Sequence, residues 1–243
     1  MNPESFDLLS RQIIFIGMEK QEKLSRSKVV VIGAGGLGSH VSEMLIKAGI
    51  GTVRVIDRDL VDETNLARVA VFTRDDIGKP KALVIAERFK NLNSDVRIDP
   101  KIENLTAYSA EKLLSGFDIV VDCTDNMETR YTINDFCVKN RMHWIYGAVI
   151  RDEGLSSTFK PGGKPCFSCL YFGRRREAEK CCEVGVISPI IGIIASWEVM
   201  EVFKILTGLA EPNYGKLLRV SLKEPKLEFV KYKAKENCEV CGK

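Results

Sequence analysis

The stretch KVVVIGAGGLGSH, Lys28–His40, joins a run of apolar, mostly β-branched residues to a glycine-rich turn and the start of a helix. Such a run is typical of a strand covered on both faces of a parallel sheet. Gly33, Gly35 and Gly38 have the spacing GxGxxG, which lets backbone N–H groups approach a phosphate at a helix N-terminus. The stretch predicts a nucleotide site, but it does not choose between NAD, FAD and ATP. A tight strand–helix turn without a ligand is the alternative.

Strands and helices alternate outward from this turn as far as residue 150. The alternation over residues 28–150 predicts an α/β fold with a doubly wound, mostly parallel, Rossmann-like sheet, which forms the nucleotide-binding half. Residues 1–27 are expected to form an N-terminal helical arm. Residues 151–243 carry three runs typical of antiparallel strands and a long apolar helix that ends at Gly208. No linker separates the halves, so residues 1–243 are expected to form one domain with a C-terminal antiparallel extension.

The composition is ordinary for a globular chain, with 45% hydrophobic and 28% charged residues among 243. The net charge of +3 is too small to indicate a nucleic-acid-binding surface. The longest uncharged apolar stretch, 184–197, is interrupted by Pro189 and is too short to span a bilayer. The N-terminus lacks the apolar segment of a secretory signal. We therefore expect a cytoplasmic protein that binds neither nucleic acid nor a membrane.

Two CxxC pairs, Cys166 with Cys169 and Cys238 with Cys241, lie far apart in the chain. Two such pairs can complete a tetrahedral site of four thiolates for zinc, and the long loop between them adds little closure entropy. The alternatives are a redox CxxC, a disulfide framework, or reduced cysteines without a ligand. Because four thiolates leave no open coordination position, the predicted zinc is structural and anchors the C-terminus.

A carboxylate and several cations follow the second predicted strand. Asp57 ends the strand and can hydrogen-bond ribose hydroxyls, or it can simply cap the strand. Asn65, Arg68, Lys79 and Lys81 come soon after it. A nicotinamide site gains nothing from such a cluster, whereas chemistry at phosphorus does, because charge accumulates on the phosphoryl oxygens. Each cation could instead be an exposed surface charge.

The segment VVDCTDN places Asp122 and Asp125 at the end of the fourth predicted strand. Ligands of doubly wound sheets bind at the carboxyl ends of strands, so these carboxylates are expected near the phosphates. A carboxylate beside a polyphosphate is repelled unless a cation intervenes, which predicts Mg²⁺. Asp125 lies further into the loop and is the better ligand, while Asp122 can be a plain strand-end residue.

The order of these motifs makes the whole chain similar to the MoeB/ThiF adenylyltransferases, the ubiquitin-activating-type family of bacteria and archaea. The motifs that carry the resemblance are SRQI, GAGGLGS, NLAR, GKPK, DCTDN, both CxxC pairs and CCEVGVISPIIG. The resemblance implies a homodimer that uses Mg-ATP to adenylate the C-terminal glycine carboxylate of a small ubiquitin-like sulfur carrier ending in Gly-Gly, with release of pyrophosphate. It implies that the sulfur arrives from a separate donor protein.

The resemblance also implies a role for each matching residue. The residues that would hold ATP and its magnesium ion are Gly33, Gly35, Gly36, Gly38, Asp57, Asn65, Arg68, Lys81 and Asp125. Arg68 and Lys81 would act on the phosphates in the transition state, and Asp125 would bind Mg²⁺. The zinc set would be the same four cysteines that the spacing indicates.

Two further roles rest on the resemblance. Arg11, in the helical arm, would reach into the active site of the other subunit. Cys181 stands where ThiF-like members can carry a cysteine that attacks the adenylate, and the nearby cations Lys180 and Arg174–Arg176 could lower its pKa. A loop thiol without chemistry is the alternative for Cys181.

Two other functions stay open at this point. One is a dinucleotide-dependent oxidoreductase, which binding of NAD rather than ATP would favour. The other is a non-catalytic, nucleotide-binding interaction module, which the absence of pyrophosphate exchange with every carrier would favour. The sequence does not distinguish among molybdopterin, thiamine, tRNA-thiolation and protein-conjugation carriers.

Overall fold

One continuous sheet of eight strands runs through the computed structural model, which describes residues 3–171, 185–224 and 226–242. Its strands are β1 Lys28–Ile32, β2 Thr52–Ile56, β3 Arg97–Lys101, β4 Ile119–Asp122, β5 His143–Ile150, β6 Glu153–Phe159, β7 Lys216–Ser221 and β8 Leu227–Lys231. The strand order is β3-β2-β1-β4-β5-β6-β7-β8. The pairs from β3 to β5 are parallel, and β6, β7 and β8 add antiparallel strands. The predicted parallel sheet with an antiparallel extension is therefore confirmed.

Within the described residues, the helices lie where the sequence predicts them, with one addition. They are α1 Pro3–Ile16, α2 Met18–Arg26, α3 Gly36–Lys47, α4 Lys81–Phe89, α5 Ala110–Leu114, α6 Met127–Lys139, α7 Phe167–Leu170 and α8 Ser188–Thr207. The predicted N-terminal arm is α1 and α2. No periodicity predicts the short helix α7, which begins after Cys166 and contains Cys169, or the 3-10 turns Glu63–Asn65 and Arg74–Asp76.

Two hydrophobic cores cover the two faces of the parallel strands. Along β1, Val29 and Val31 belong to the core that contains α3, α4 and α8. Val30 and Ile32 belong to the core that contains α5, α6 and α7. Because successive strand residues point to opposite faces, a strand buried on both sides needs an apolar residue at every position. This requirement explains the uninterrupted apolar run that precedes the glycine turn.

Helix α8 packs in the core against α3, β5 and β6. The sequence allows its apolar face to be either core or subunit interface, and Ile190, Ile191 and Ile194 are buried within this chain. The helix ends at Gly208, whose φ of 66° is left-handed and whose N–H donates to the Lys204 carbonyl at 2.9 Å. No described helix, α8 included, combines the length and the apolar character that crossing a membrane requires.

Candidate functional site

A cavity of about 350 Å³ opens where the parallel strands end. It lies beyond the carboxyl ends of β1, β2, β4 and β5, which is where doubly wound sheets bind ligands. The residues that the sequence nominates and that line this cavity are Gly33, Gly35, Gly36, Asp57, Asn65, Arg68, Lys81 and Asp125. Residues separated by more than ninety positions therefore meet at one edge of the sheet.

The glycine turn between β1 and α3 uses its glycines in different ways. Gly33 has a φ of +96°, a left-handed conformation that glycine adopts without strain. A Cβ on Gly38 would stand 1.8 Å from the Gly33 carbonyl oxygen, so Gly38 permits α3 to start against β1. A Cβ on Gly35 would meet nothing within 4 Å. Gly35 thus borders open space in the cavity, whereas Gly38 is not among the residues that line it.

Asp57 connects the end of β2 with the glycine turn. Its Oδ2 accepts a hydrogen bond from the Ala34 amide at 2.7 Å, and its Oδ1 accepts one from the Asp59 amide at 2.8 Å. Burial raises the pKa of Asp57, and these two amide bonds oppose the rise. Because each carboxylate oxygen has more than one acceptor site, both can still accept from ribose hydroxyls.

The 3-10 turn Glu63–Asn65 sets the cationic side of the cavity. Asn65 Oδ1 accepts from the Asp62 amide at 3.1 Å, and Asp62 Oδ1 accepts from the Thr64 amide at 2.9 Å, so the two side chains form a capping box. Arg68 follows this turn, and its Nη1 donates to the Thr64 carbonyl at 2.8 Å. The guanidinium is thereby held at the cavity, with its remaining N–H groups available for an anion.

Lys81 and Lys79 diverge although they lie two positions apart. Lys81, the first residue of α4, lines the cavity, and its Nζ lies 3.1 Å from Asp59 Oδ2. Lys79 is more than half exposed and forms an ion pair with Asp76 at 3.5 Å. The prediction that Lys79 joins the cation cluster is therefore wrong. The turn into α4 sends its side chain toward the Arg74–Asp76 turn instead.

Asp122 and Asp125 occupy contrasting positions at the end of β4. Asp122 is fully buried, and its Oδ1 accepts from the Thr124 amide at 3.0 Å and the Thr124 hydroxyl at 2.7 Å. Burial raises the pKa of Asp122 to about 6, against the opposing effects of Arg130 and Thr124. Asp125 is exposed and lines the cavity, so its carboxylate is the one placed to hold a cation beside a phosphate.

Arg130 lines the cavity, and no sequence motif used above predicts it. It lies on α6, is 6% exposed, and donates from Nη2 to the Thr124 carbonyl at 2.5 Å. Its Nε lies 3.7 Å from Asp122 Oδ2, and its guanidinium lies 5.1 Å from the centre of the Tyr146 ring. The sequence does contain a signal for Arg130: it is a cation near the start of the helix that follows DCTDN. A side chain at that position can reach back to the loop between β4 and α6.

Among the residues that the resemblance assigns to the active site and that the structure describes, Arg11 as well as Gly38 does not line the cavity. Arg11 is exposed on α1 and is not among the residues that line the cavity. Cys181, with Lys180 and Arg174–Arg176, lies outside the described residues.

The four cysteines of the CxxC pairs meet in a buried cluster. Their Sγ atoms all lie within 4.8 Å of one another, with separations of 3.6 Å between Cys166 and Cys238 and 3.5 Å between Cys169 and Cys241. No disulfide joins any of the four, so the arrangement favours a metal site over the disulfide framework. Four thiolates bound to zinc at about 2.3 Å stand about 3.8 Å apart, so the cluster fits a tetrahedral zinc site.

Known proteins are similar to this chain over nearly its whole length. The model of the ThiF family matches residues 9–240. The sulfur carrier protein adenylyltransferase of Thermus thermophilus is 36% identical over 248 residues, covering 98% of this chain and 92% of that protein. The molybdopterin-synthase adenylyltransferase of Escherichia coli is 34% identical over 236 residues, covering 96% and 95%.

Coverage is lower for some relatives. The ThiS adenylyltransferase of Bacillus subtilis is 39% identical over 203 residues, which cover 82% of this chain but 60% of that protein. Among solved structures, E. coli MccB with ATP matches with a TM-score of 0.85 at 25% identity, covering 100% of this chain and 77% of that one.

Proposed function

Because the chain belongs to the ThiF family, we propose that it uses ATP to adenylate the C-terminal glycine carboxylate of a small ubiquitin-like sulfur carrier protein. The observation that carries this proposal is the meeting of Asp57, Arg68, Lys81 and Asp125 around one cavity beside a glycine turn. A ribose acceptor, two cations and a cation-binding carboxylate are what a triphosphate requires. A hydride-transfer site needs no such cations, so the oxidoreductase alternative is not favoured.

Charge determines what the residues contribute to the reaction. A carboxylate oxygen of the carrier forms a bond to the α-phosphorus of ATP, and the bond from that phosphorus to the bridging oxygen breaks. Pyrophosphate leaves with the electron pair. Arg68 and Lys81 reduce the repulsion between the two anions and stabilise the charge that develops on the phosphoryl oxygens. No general base is required, because a carboxylate with an ordinary pKa near 3.5 is already ionised at neutral pH.

Asp125 is the residue that would hold magnesium, since it is the exposed carboxylate of the β4 loop at the cavity. Bound magnesium would supply further screening of the phosphates. Asp122 would help to position Asp125, because it accepts hydrogen bonds from the backbone amide and the hydroxyl of the adjacent Thr124.

The four-cysteine cluster would hold one structural zinc ion. The fit follows from the donor set and from the Sγ separations, and a closed set of four thiolates assigns the metal no catalysis. Its bonds would tie the tail after β8 to the loop before α7. A cytoplasmic location would agree with this role, because cysteines that bind a metal rather than pair in disulfides are typical of reducing compartments.

A homodimer would explain the surface of α1. Ile14 is 78% exposed and Phe15 is 81% exposed, and both lie within one turn of Arg11. A second copy of the chain that covered these apolar side chains would bring Arg11 against its partner. This arrangement supports the role of Arg11 in the active site of the other subunit.

The far wall of the cavity suits the tail of a carrier that ends in Gly-Gly. Ala148, Val149, Leu155 and Val186 line it, and none of them carries a charge or a polar side chain. A diglycine tail needs a narrow, uncharged path to reach the α-phosphorus. The sulfur that replaces the adenylate would come from a separate donor protein, and Cys181 remains a proposed nucleophile that attacks the adenylate.

The function is tested by ATP–pyrophosphate exchange with purified ubiquitin-like carriers that end in Gly-Gly. We expect radiolabelled pyrophosphate to enter ATP only when enzyme, magnesium and an intact carrier are all present. A carrier that lacks its last glycine is the matched control and should give no exchange. Exchange that is absent with every intact carrier, while ATP still binds, would favour the non-catalytic interaction module. Tight binding of NAD in calorimetry, without ATP binding, would favour the oxidoreductase.

A further inference from the structure

A wall of aromatic side chains links the cavity to α7, the helix of the first CxxC pair. Tyr171 directly follows α7, the helix that contains Cys169, and it also lines the cavity. Its hydroxyl lies 2.9 Å from the hydroxyl of Tyr146, which lines the cavity from β5. A hydrogen bond therefore joins the residue that ends the cysteine loop to a strand that ends at the nucleotide site.

Arg130 continues this connection to the loop that carries Asp125. Its guanidinium lies over the Tyr146 ring at 5.1 Å, and its Nη2 donates to the Thr124 carbonyl at 2.5 Å. Thr124 immediately precedes Asp125 in the chain. The contacts thus run without a gap from Tyr171 through Tyr146 and Arg130 to the backbone beside the proposed magnesium ligand.

The cysteine loop is packed tightly against this wall. Phe167, between the two cysteines of the loop, is fully buried, and its ring lies 5.2 Å from Tyr146 and 4.7 Å from Tyr171. Its amide donates to Asn134 Oδ1 at 2.9 Å, and Asn134 lies one helical turn beyond Arg130 on α6. In such a close-packed region, a displacement of the loop displaces the wall as well.

We propose that metal binding at the four-cysteine cluster and nucleotide binding in the cavity strengthen each other through Tyr171, Tyr146 and Arg130. The metal fixes residues 166–171, and the tyrosine hydroxyl pair then holds Arg130 against the Thr124 carbonyl, which orders the loop of Asp125. Coupling between binding sites is reciprocal, so the nucleotide must raise metal affinity by the same factor by which the metal raises nucleotide affinity. The inference rests on the proposed nucleotide site.

The experiment measures zinc affinity by competition between the protein and a zinc chelator, with and without Mg-ATP. A titration of chelator and Mg-ATP without protein corrects for zinc held by the nucleotide. In the unaltered protein we expect Mg-ATP to raise zinc affinity about fivefold, at the low end of couplings between sites. In Tyr171→Phe, which lacks one hydroxyl of the pair, we expect the increase to fall below about twofold, because one hydrogen bond of ordinary strength is lost.

Tyr232→Phe is the matched control. The Tyr232 hydroxyl lies 2.7 Å from Ser157 Oγ on the same side of the sheet as the cluster, but Tyr232 does not line the cavity. In this variant Mg-ATP should still raise zinc affinity about fivefold, even if the zinc affinity itself changes. A merely structural effect alters zinc affinity equally with and without Mg-ATP, so it leaves the ratio of the two affinities unchanged.

The outcomes separate this inference from the proposed function. If calorimetry shows that Mg-ATP binds but zinc affinity does not respond to it, the coupling is overturned and the nucleotide site survives. An increase in Tyr171→Phe equal to that of the unaltered protein likewise overturns the route through the tyrosines. If Mg-ATP does not bind at all, the proposed function falls and the coupling falls with it.

Discussion

Asp122 and Asp125 show how three positions in the chain give two carboxylates opposite environments. Asp122 ends β4 with its side chain buried, and it accepts two hydrogen bonds from Thr124. Asp125 stands in the loop and lines the cavity. The last residue of a central strand is still covered by helices, whereas the loop beyond it leaves the sheet. This difference is the physical reason why the sequence favours Asp125 over Asp122 as the predicted Mg²⁺ ligand.

The first prediction at the residue scale concerns Arg68. Arg68→Ala should keep the fold and lower carrier-dependent pyrophosphate exchange by about 10²–10³-fold, because one charge that stabilises the transition state is lost. Arg74→Ala is the control, since Arg74 pairs with Glu63 at 2.8 Å and does not line the cavity. Near-normal exchange in Arg68→Ala would remove Arg68 from the mechanism.

A second prediction at this scale separates two glycines of the same turn. Gly38→Ala should destabilise the protein by at least about 3 kcal/mol or prevent folding, because its Cβ would overlap the Gly33 carbonyl, and such overpacking is costly. Gly35→Ala should fold normally, since its Cβ meets nothing within 4 Å, but should bind ATP more weakly. Thermal unfolding and calorimetry measure the two effects. Equal unfolding temperatures for both variants would contradict the assignment.

At the scale of elements, the loop from β2 to α4 shows why local pattern is insufficient. Periodicity predicts a strand and a helix here, and the intervening segment is shaped by two 3-10 turns with capping boxes. The first of these turns positions Arg68, and the second draws Lys79 away to Asp76. Capping boxes depend on hydrogen bonds over three residues, so they escape an analysis based on hydrophobic repeats.

The prediction at this scale concerns the pH dependence of the second turn. Burial alone would raise the pKa of Asp76, but hydrogen bonds from Thr73 and Arg88 outweigh it and lower the pKa to about 2. A lowered carboxyl pKa stabilises the fold fully above the unfolded value near 4, and the stabilisation is lost as the pH falls through 2. Asp76→Asn should therefore have a lower free energy of unfolding than the unaltered protein at neutral pH. The difference between the two free energies should become smaller as the pH falls from 4 to 2.

Urea unfolding at a series of pH values measures this difference. Asp75→Asn is the matched control, because Asp75 belongs to the same turn and is exposed. The control should show no comparable narrowing. A stability difference for Asp76→Asn that stays constant down to pH 2 would refute the electrostatic account of the turn.

At the scale of the whole molecule, the cavity lies at the carboxyl ends of the parallel strands, and the cysteine cluster lies where α7 meets the C-terminal tail. Strand β5 pairs with β4 in parallel and with β6 in the antiparallel sense, so one strand belongs to both halves of the chain. Tyr146 lies on β5 and contacts both Arg130 at the cavity and Tyr171, the residue that follows α7. The division of the chain into a nucleotide-binding half and a zinc-bearing half stays a prediction. The sheet does not show this division, because it is continuous across both halves.

The prediction at this scale concerns the C-terminal tail. Cys238→Ser should lose bound zinc, because a site of four thiolates does not keep its affinity with three. Limited proteolysis should then cut the tail beyond β8 faster than in the unaltered protein. Native mass spectrometry measures the metal content. Glu239→Ser, an exposed position between the two cysteines of the tail, should keep zinc and resist cleavage. A Cys238→Ser protein with a full zinc ion would rule out the four-thiolate site.

The sequence by itself determined most of the strands and helices, the parallel sheet, the glycine turn and the two CxxC motifs. These features are encoded locally, because strand and helix periodicity, turn glycines and cysteine spacing each act within a few residues. Only the tertiary structure decided that Lys79 leaves the cavity, that Arg130 enters it, and that Tyr171 meets Tyr146. These contacts depend on the path of the turns before α4 and on how α6 and α7 pack against β5. No periodic pattern in the sequence specifies that geometry, whether the partners are three residues apart or twenty-five.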